Sequence, residues 1–317
     1  MIKTNKMYTK KTNTHSLEEY TSTDKNNHWK SLLLYYDFIE TYSKNNDKDI
    51  LEEHFHILLG ITLELEKRRN YFLETGNLKE LFPTAYFHTT LCKMEQILNG
   101  VYLYPIEKIK QISYFYQAYL WNRNQWEENQ KNLVEEHWTC HFEKTEKKFP
   151  IFNLKKYIGH ILATGIEAHI DYDLPRALNF AVKNRHLQNV EENTYIEAIK
   201  EEFIKTEEIF RTVTDKTNAD IEKAGLCNKI WLDIFSKSYG KFLTKTIINP
   251  FTKERIYTDS DVISKRITAW KKAISNQHFI GKNGKKLQDQ PQIDVLHLKQ
   301  KGKMFLEKSM RRPCFAS

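Results

Sequence analysis

Helical periodicity runs almost unbroken along this chain, and that one feature limits what it can fold into. Apolar residues recur at three- and four-residue spacing in segment after segment. Ten glycines and seven prolines in 317 residues leave too few turn signals for an all-β sandwich. The spacing predicts a first helix over 31–44 and a second over 49–74, where Leu51, His54, Phe55, Leu58, Ile61, Thr62 and Leu65 share one stripe. Asp49 is expected to cap that helix and Gly76 to stop it. A third helix is read over 78–98, with its start drawn towards Pro83. Tyr104-Pro105 opens a long stretch over 106–147, either one helix or two joined near 122–132, with Pro150 ending it. Helices are further expected over 154–170, from Leu174-Pro175 onward, and over 194–224, 228–247 and 260–279. Only 255–258 reads as strand, and no internal repeat is visible. The predicted fold is all-α, a single-domain multi-helix bundle over 31–280. A polar leader, 1–30, precedes it, and a basic, poorly patterned tail, 281–317, follows with a last helix near Val295–Met310.

Charge gathers at the ends. The formal net charge is +8; residues 1–30 contribute +3 and 281–317 contribute +6, so the stretch between them is about −1. A basic groove across the body is therefore not expected, nor specific nucleic-acid binding. With 40% apolar and 28% charged residues, neither a disordered chain nor a membrane-embedded one fits. No segment reaches the ~18 apolar residues of a transmembrane helix, and no apolar run follows the N-terminal lysines. Cys92, Cys140, Cys227 and Cys314 are scattered and form no CxxC, so reduced thiols in the cytoplasm are expected.

The stretch richest in chemistry is Gly165-Ile166-Glu167-Ala168-His169-Ile170-Asp171-Tyr172-Asp173-Leu174-Pro175-Arg176-Ala177-Leu178. His169 falls on the apolar stripe of Leu154, Tyr157, Ile158, Ile161, Leu162, Gly165 and Ile166, so its imidazole faces the interior and needs a partner. Asp173 stands four residues on, at ligand spacing if the helix continues. Two readings stay open. Asp173 caps a helix–turn–helix corner before Leu174-Pro175, with His169 bonding a backbone carbonyl; or the pair serves metal ligation or acid–base work. His137 and His141, at i and i+4, can also reach one ion, although Glu136 precedes them and no HExxH forms. Asp171 and Glu167 are the nearest spare carboxylates for a general base, and His88 and Tyr172 are candidates for substrate contact. His54 reads as a core histidine. Zinc or another divalent metal fits such a set, and a metal-free site is equally open.

The segment Ala168-His169-Ile170-Asp171-Tyr172-Asp173-Leu174-Pro175-Arg176-Ala177-Leu178 resembles the AHIN-x-DLP-x-AL signature of a bacterial family known as domain of unknown function 5995. The resemblance extends over roughly residues 30–185 and carries no settled activity with it. The signature is in turn similar to the His-x-x-x-Asp helix of zinc-dependent phospholipases C and single-strand-specific zinc nucleases, all-helical enzymes with a trinuclear zinc cluster. That resemblance implies His169 and Asp173 as ligands. This chain departs from it where Ala177-Leu178 replaces a histidine, so a full trinuclear set is not expected.

Three function classes follow. The first is a metal-dependent hydrolase acting on a phosphoester, ester or lipid-like small substrate. The second is a cyclase or isomerase of a terpenoid or other apolar substrate in an aromatic pocket, for which 17 Tyr and 18 Phe supply the walls. No DDxxD box accompanies them, and Asn218-Ala219-Asp220-Ile221-Glu222 is a poor second motif. The third is a non-enzymatic helical binding protein whose aromatic surplus is core. GxSxG, GxxxxGK[ST] and GxGxxG are all missing, which argues against α/β-hydrolase, P-loop and Rossmann chemistry. Oligomeric state is left open.

Overall fold

Residues 27–42, 47–147, 154–184, 192–205, 208–226, 271, 273 and 295–310 are described in the computed structural model, and among them the regular structure is entirely helical. A 3-10 segment, Asn27–Leu34, leads into α1 (Tyr35–Tyr42), followed by α2 (Lys48–Thr75) and a short 3-10 turn, Leu78–Glu80. Then come α3 (Leu81–Leu98), α4 (Pro105–Glu127), α5 (Glu136–Glu146) and α6 (Leu154–Glu167). A π-helical segment, Ala168–Asp173, joins α6 to α7 (Leu174–Lys183); α8 (Glu192–Lys205), α9 (Glu208–Lys223) and α10 (Val295–Met310) complete the set.

The stops follow local chemistry. Gly76 ends α2 in the left-handed region at φ 62°, and its N–H reaches back to Phe72 O at 2.8 Å. Asp49 lies in the first turn of α2, where a carboxylate complements the helix dipole, but the cap position itself is Asp47. Asn77 accepts from Lys79 N at 3.1 Å and caps the 3-10 turn, so α3 starts at Leu81 with Pro83 in its first turn. The expected 106–147 stretch is two helices. Asn129, at φ 61°, breaks them between Glu127 and Glu136. Within the 194–224 stretch the described residues form α8 and α9. Expectations for 1–26, 228–247 and 255–258, and most of 260–279, lie outside the described residues.

α3 is covered by α2, α6 and α9, which is why its sequence is apolar or small nearly all round. α4 packs against α2, α7 and α5, and α5 against α6. The core between them is largely aromatic: Phe55, Phe82, Phe87, Tyr116, Tyr119 and Trp138 are all almost fully buried. Each such ring contributes ~1.5–3 kcal/mol on burial. The expected last helix, α10, lies along α2, with Gly60 and Gly302 letting the two backbones approach so closely that a Cβ at either would collide with the other helix. No helix among the described residues is long and apolar enough to cross a membrane.

The join between α6 and α7 differs from the helix–turn–helix corner that one of the two sequence readings placed there, and keeps the helical continuity that the other required. Asp173 has helical dihedrals, φ −79° and ψ −35°, and its side chain makes no capping hydrogen bond. The chain therefore runs helically from Leu154 to Lys183 without a corner. Pro175 explains the widened turn. In a straight α-helix its ring would strike the carbonyl of residue 171 and its missing N–H would leave that carbonyl unpaired. Opening to the π register, with Leu174 N bonded to His169 O, relieves the clash and keeps the helix going.

Candidate metal centre

Two chain segments meet at the point where the π segment faces α5. Glu135, the residue before α5, has an extended backbone held by Asn122 of α4, whose Oδ1 accepts from Glu135 N at 2.8 Å. Asn122 Nδ2 also donates to Glu135 Oε2 at 3.0 Å, which aims that carboxylate inward. From the other side, the π segment ends in Asp173, which is fully buried. Between them stands His137, 2% exposed, its Nε2 lying 3.5 Å from Glu135 Oε2 and 3.5 Å from Asp173 Oδ1. Ligand atoms of Glu135, His137 and Asp173 all fall within 4.8 Å of one another. Neither ring nitrogen of His137 has a hydrogen-bond partner among the described residues. An imidazole buried in that condition is costly unless a proton shared with a neighbouring carboxylate or a bound cation satisfies it.

The surrounding groups fix the carboxylates. Asp173 Oδ2 accepts from Trp138 Nε1 at 3.1 Å, and Asp173 Oδ1 accepts from Arg176 Nη1 at 3.1 Å. The same Arg176 nitrogen donates to Glu135 Oε2 at 3.0 Å. Burial alone would raise the Asp173 pKa, yet the contacts with His137, His169 and Arg176 outweigh it and hold the carboxyl well below its usual range. Tyr172 stacks flat on His137, centroids 4.5 Å apart and planes 6° apart, so it orients the imidazole. One nitrogen and two carboxylate oxygens form a donor set suited to zinc, manganese or iron.

The other sequence candidates are distributed around this centre. His169 flanks it, with Nδ1 3.9 Å from Asp173 Oδ2, in a surround of Phe82, Tyr86 and Phe115. His141 does not join its i−4 neighbour. Its Nδ1–H donates to Ile161 O at 3.2 Å, and burial pushes its pKa down to about 3, so it is neutral. Gly165 makes that placement possible, since a Cβ there would sit 2.6 Å from the Phe82 ring and 3.1 Å from the His141 ring. Glu167 and Asp171 are half-buried on the same helical run and are not part of the ligand group. His88 belongs to a separate buried network: its Nε2 is 2.7 Å from Asp220 Oδ2, and Arg69 grips both oxygens of Asp220. Burial lowers the His88 pKa against the pull of Asp220. His54 bonds the carbonyl of Ile50 at 2.8 Å, as a structural histidine does.

Sequence reasoning missed Glu135, Trp138, Asn122 and Arg176 as members of the site. Arg176 carried a signal: a lone charge inside Leu174-Pro175-Arg176-Ala177-Leu178 must be buried, and a buried guanidinium needs carboxylates.

Comparison with known proteins gives a family and nothing closer. The model of a family described as Family of unknown function (DUF5995) matches residues 60–275, which includes every residue of the centre. No curated protein and no solved structure matches the chain.

Proposed function

Since the chain belongs to the DUF5995 family, a family of unknown function, its activity has to be argued from its own residues, and we propose that it is a divalent-metal-dependent hydrolase. The observation that carries this reading is the buried convergence of Glu135, His137 and Asp173, with both ring nitrogens of His137 lacking a hydrogen-bond partner among the described residues. A bound zinc or similar ion supplies a water acidified towards neutrality and a Lewis acid for a phosphoryl or carbonyl oxygen. The chain's own residues do the rest. Asn122 and Trp138 hold the two carboxylates, and Tyr172 fixes the plane of His137. His169, with 16% of its side chain exposed, stands beside the centre, its Nδ1 3.9 Å from Asp173 Oδ2. Glu167 and Asp171, on the same helical run, are the spare carboxylates towards the half-exposed side.

The substrate on this reading is a small or lipid-like phosphoester or ester, and the protein acts in the cytoplasm, a reading supported by Cys92 and Cys140, which form no disulfide among the described residues. No specific nucleic-acid partner is expected from a body with a charge of about −1. The cyclase reading draws on the rings of Phe82, Tyr86 and Phe115, but they close on His169 itself. Turnover of aryl phosphoesters and short-chain esters, measured with added zinc or manganese, tests the proposal. His137→Ala is expected to abolish it, while His141→Asn keeps most of it. Turnover that survives His137→Ala unchanged would remove the centre from the chemistry.

A further inference from the structure

The two carboxylate oxygens nearest His137 Nε2, Glu135 Oε2 and Asp173 Oδ1, are the same two that Arg176 Nη1 already bridges, at 3.0 and 3.1 Å. A divalent ion bound by His137 and these oxygens must share them with a guanidinium that cannot lose its proton. The group is almost solvent-free: side-chain exposures are 8% for Glu135, 1% for His137, 0% for Asp173 and 3% for Arg176. Little water is present to screen the ion from the guanidinium, so the two cations oppose one another strongly. Without an ion, the same Arg176 contact is what keeps two buried carboxylates from facing each other uncompensated.

We propose that Arg176 is a resident counter-cation that competes with the metal: it holds the centre assembled in the ion-free protein, and metal entry requires its Nη1 to leave at least one of the two oxygens. This rests on the metal reading of the centre. The Tyr114 ring lies 5.8 Å from Arg176 Cζ, a contact that does not depend on Nη1 holding both oxygens. Metal loading is therefore set by an exchange of cations rather than by filling a vacant cage, and the charge at residue 176 tunes it.

Zinc dissociation constants, read by competition with a chromogenic chelator and paired with melting temperatures with and without zinc, test the inference. Arg176→Gln is expected to bind zinc at least tenfold more tightly than the wild type. It should melt lower than wild type without zinc and gain more from adding it. Arg176→Lys, which keeps the charge and the fold but holds two oxygens less firmly, is expected to lie between them. Zinc bound by the wild type, with equal or weaker affinity in both variants, would overturn the competition and leave the metal reading standing. Zinc bound by Arg176→Gln alone would mean that the guanidinium excludes the ion from the native chain, and would overturn both the exchange and the metal reading. Zinc bound by none of the three would remove the metal reading, and this inference with it.

Discussion

Glu80 and Arg123 lie 43 positions apart in sequence and meet in the core as a paired carboxylate and guanidinium, with Tyr119 Oη accepting a further hydrogen bond from Arg123 at 3.0 Å. Their side chains are 6% and 8% exposed. Removing Arg123 leaves buried Glu80 only the looser contact with Arg68 Nη1, 3.7 Å away, so Arg123→Met is expected to cost about 3 kcal/mol in urea unfolding. Adding Glu80→Leu to it should restore most of that loss, which a purely additive pair of changes would not do. His141 makes a different prediction. Its pKa of about 3 in the fold lies below the 6.5 of the unfolded chain. The unfolded state therefore binds the extra proton between those values, and stability falls as pH drops from about 6.5 towards 3 by up to about 1.4 kcal/mol per pH unit. His141→Asn should flatten that slope; equal slopes in both proteins would contradict a buried neutral imidazole. At this scale the sequence made the histidines visible, because an imidazole on an apolar stripe must face the interior. It did not separate His137 from His141. Spacing of four says that two rings share a helix face, while the partner across the interface, Asp173 for one and Ile161 O for the other, is a tertiary fact.

At the scale of elements, the helices were legible wherever periodicity and punctuation agreed. Gly76, Pro105 and the run to Leu98 set boundaries close to those read from the chain. The α6–α7 join was not, because Leu174-Pro175 is a helix-start signal in isolation. The helix runs past the proline in a π turn, with Ala168, Leu174, Ala177 and Leu178 packed into one core, and that packing is a tertiary fact. The last helix shows the same limit: its existence could be read, its seat could not. α10 lies on α2 through Gly60 and Gly302, with Lys301 Nζ donating to Glu64 at 2.6 Å at the edge. Gly302→Ala is expected to destabilise the protein by about 1–3 kcal/mol through overpacking against the carbonyl of His56, with faster amide exchange concentrated in 295–310. Unchanged exchange there would mean that α10 does not depend on the close approach.

For the whole molecule, the charge that dominates the composition has little to do with the candidate centre. The basic surplus belongs to the termini, whereas Glu135, Asp173 and Arg176 sum to a formal −1 in the interior, beside histidines supplied by α5 and the π segment. That local excess of negative charge around an imidazole with no hydrogen-bond partner among the described residues is the reason to expect a cation there. Elemental analysis of the purified, tag-free chain beside a His137→Ala/Asp173→Asn variant tests this most directly. The account predicts one divalent ion per chain in the wild type and none in the variant. An ion-free wild type that stays folded after metal is added and removed would show that the Glu135–Arg176–Asp173 network only ties helices together.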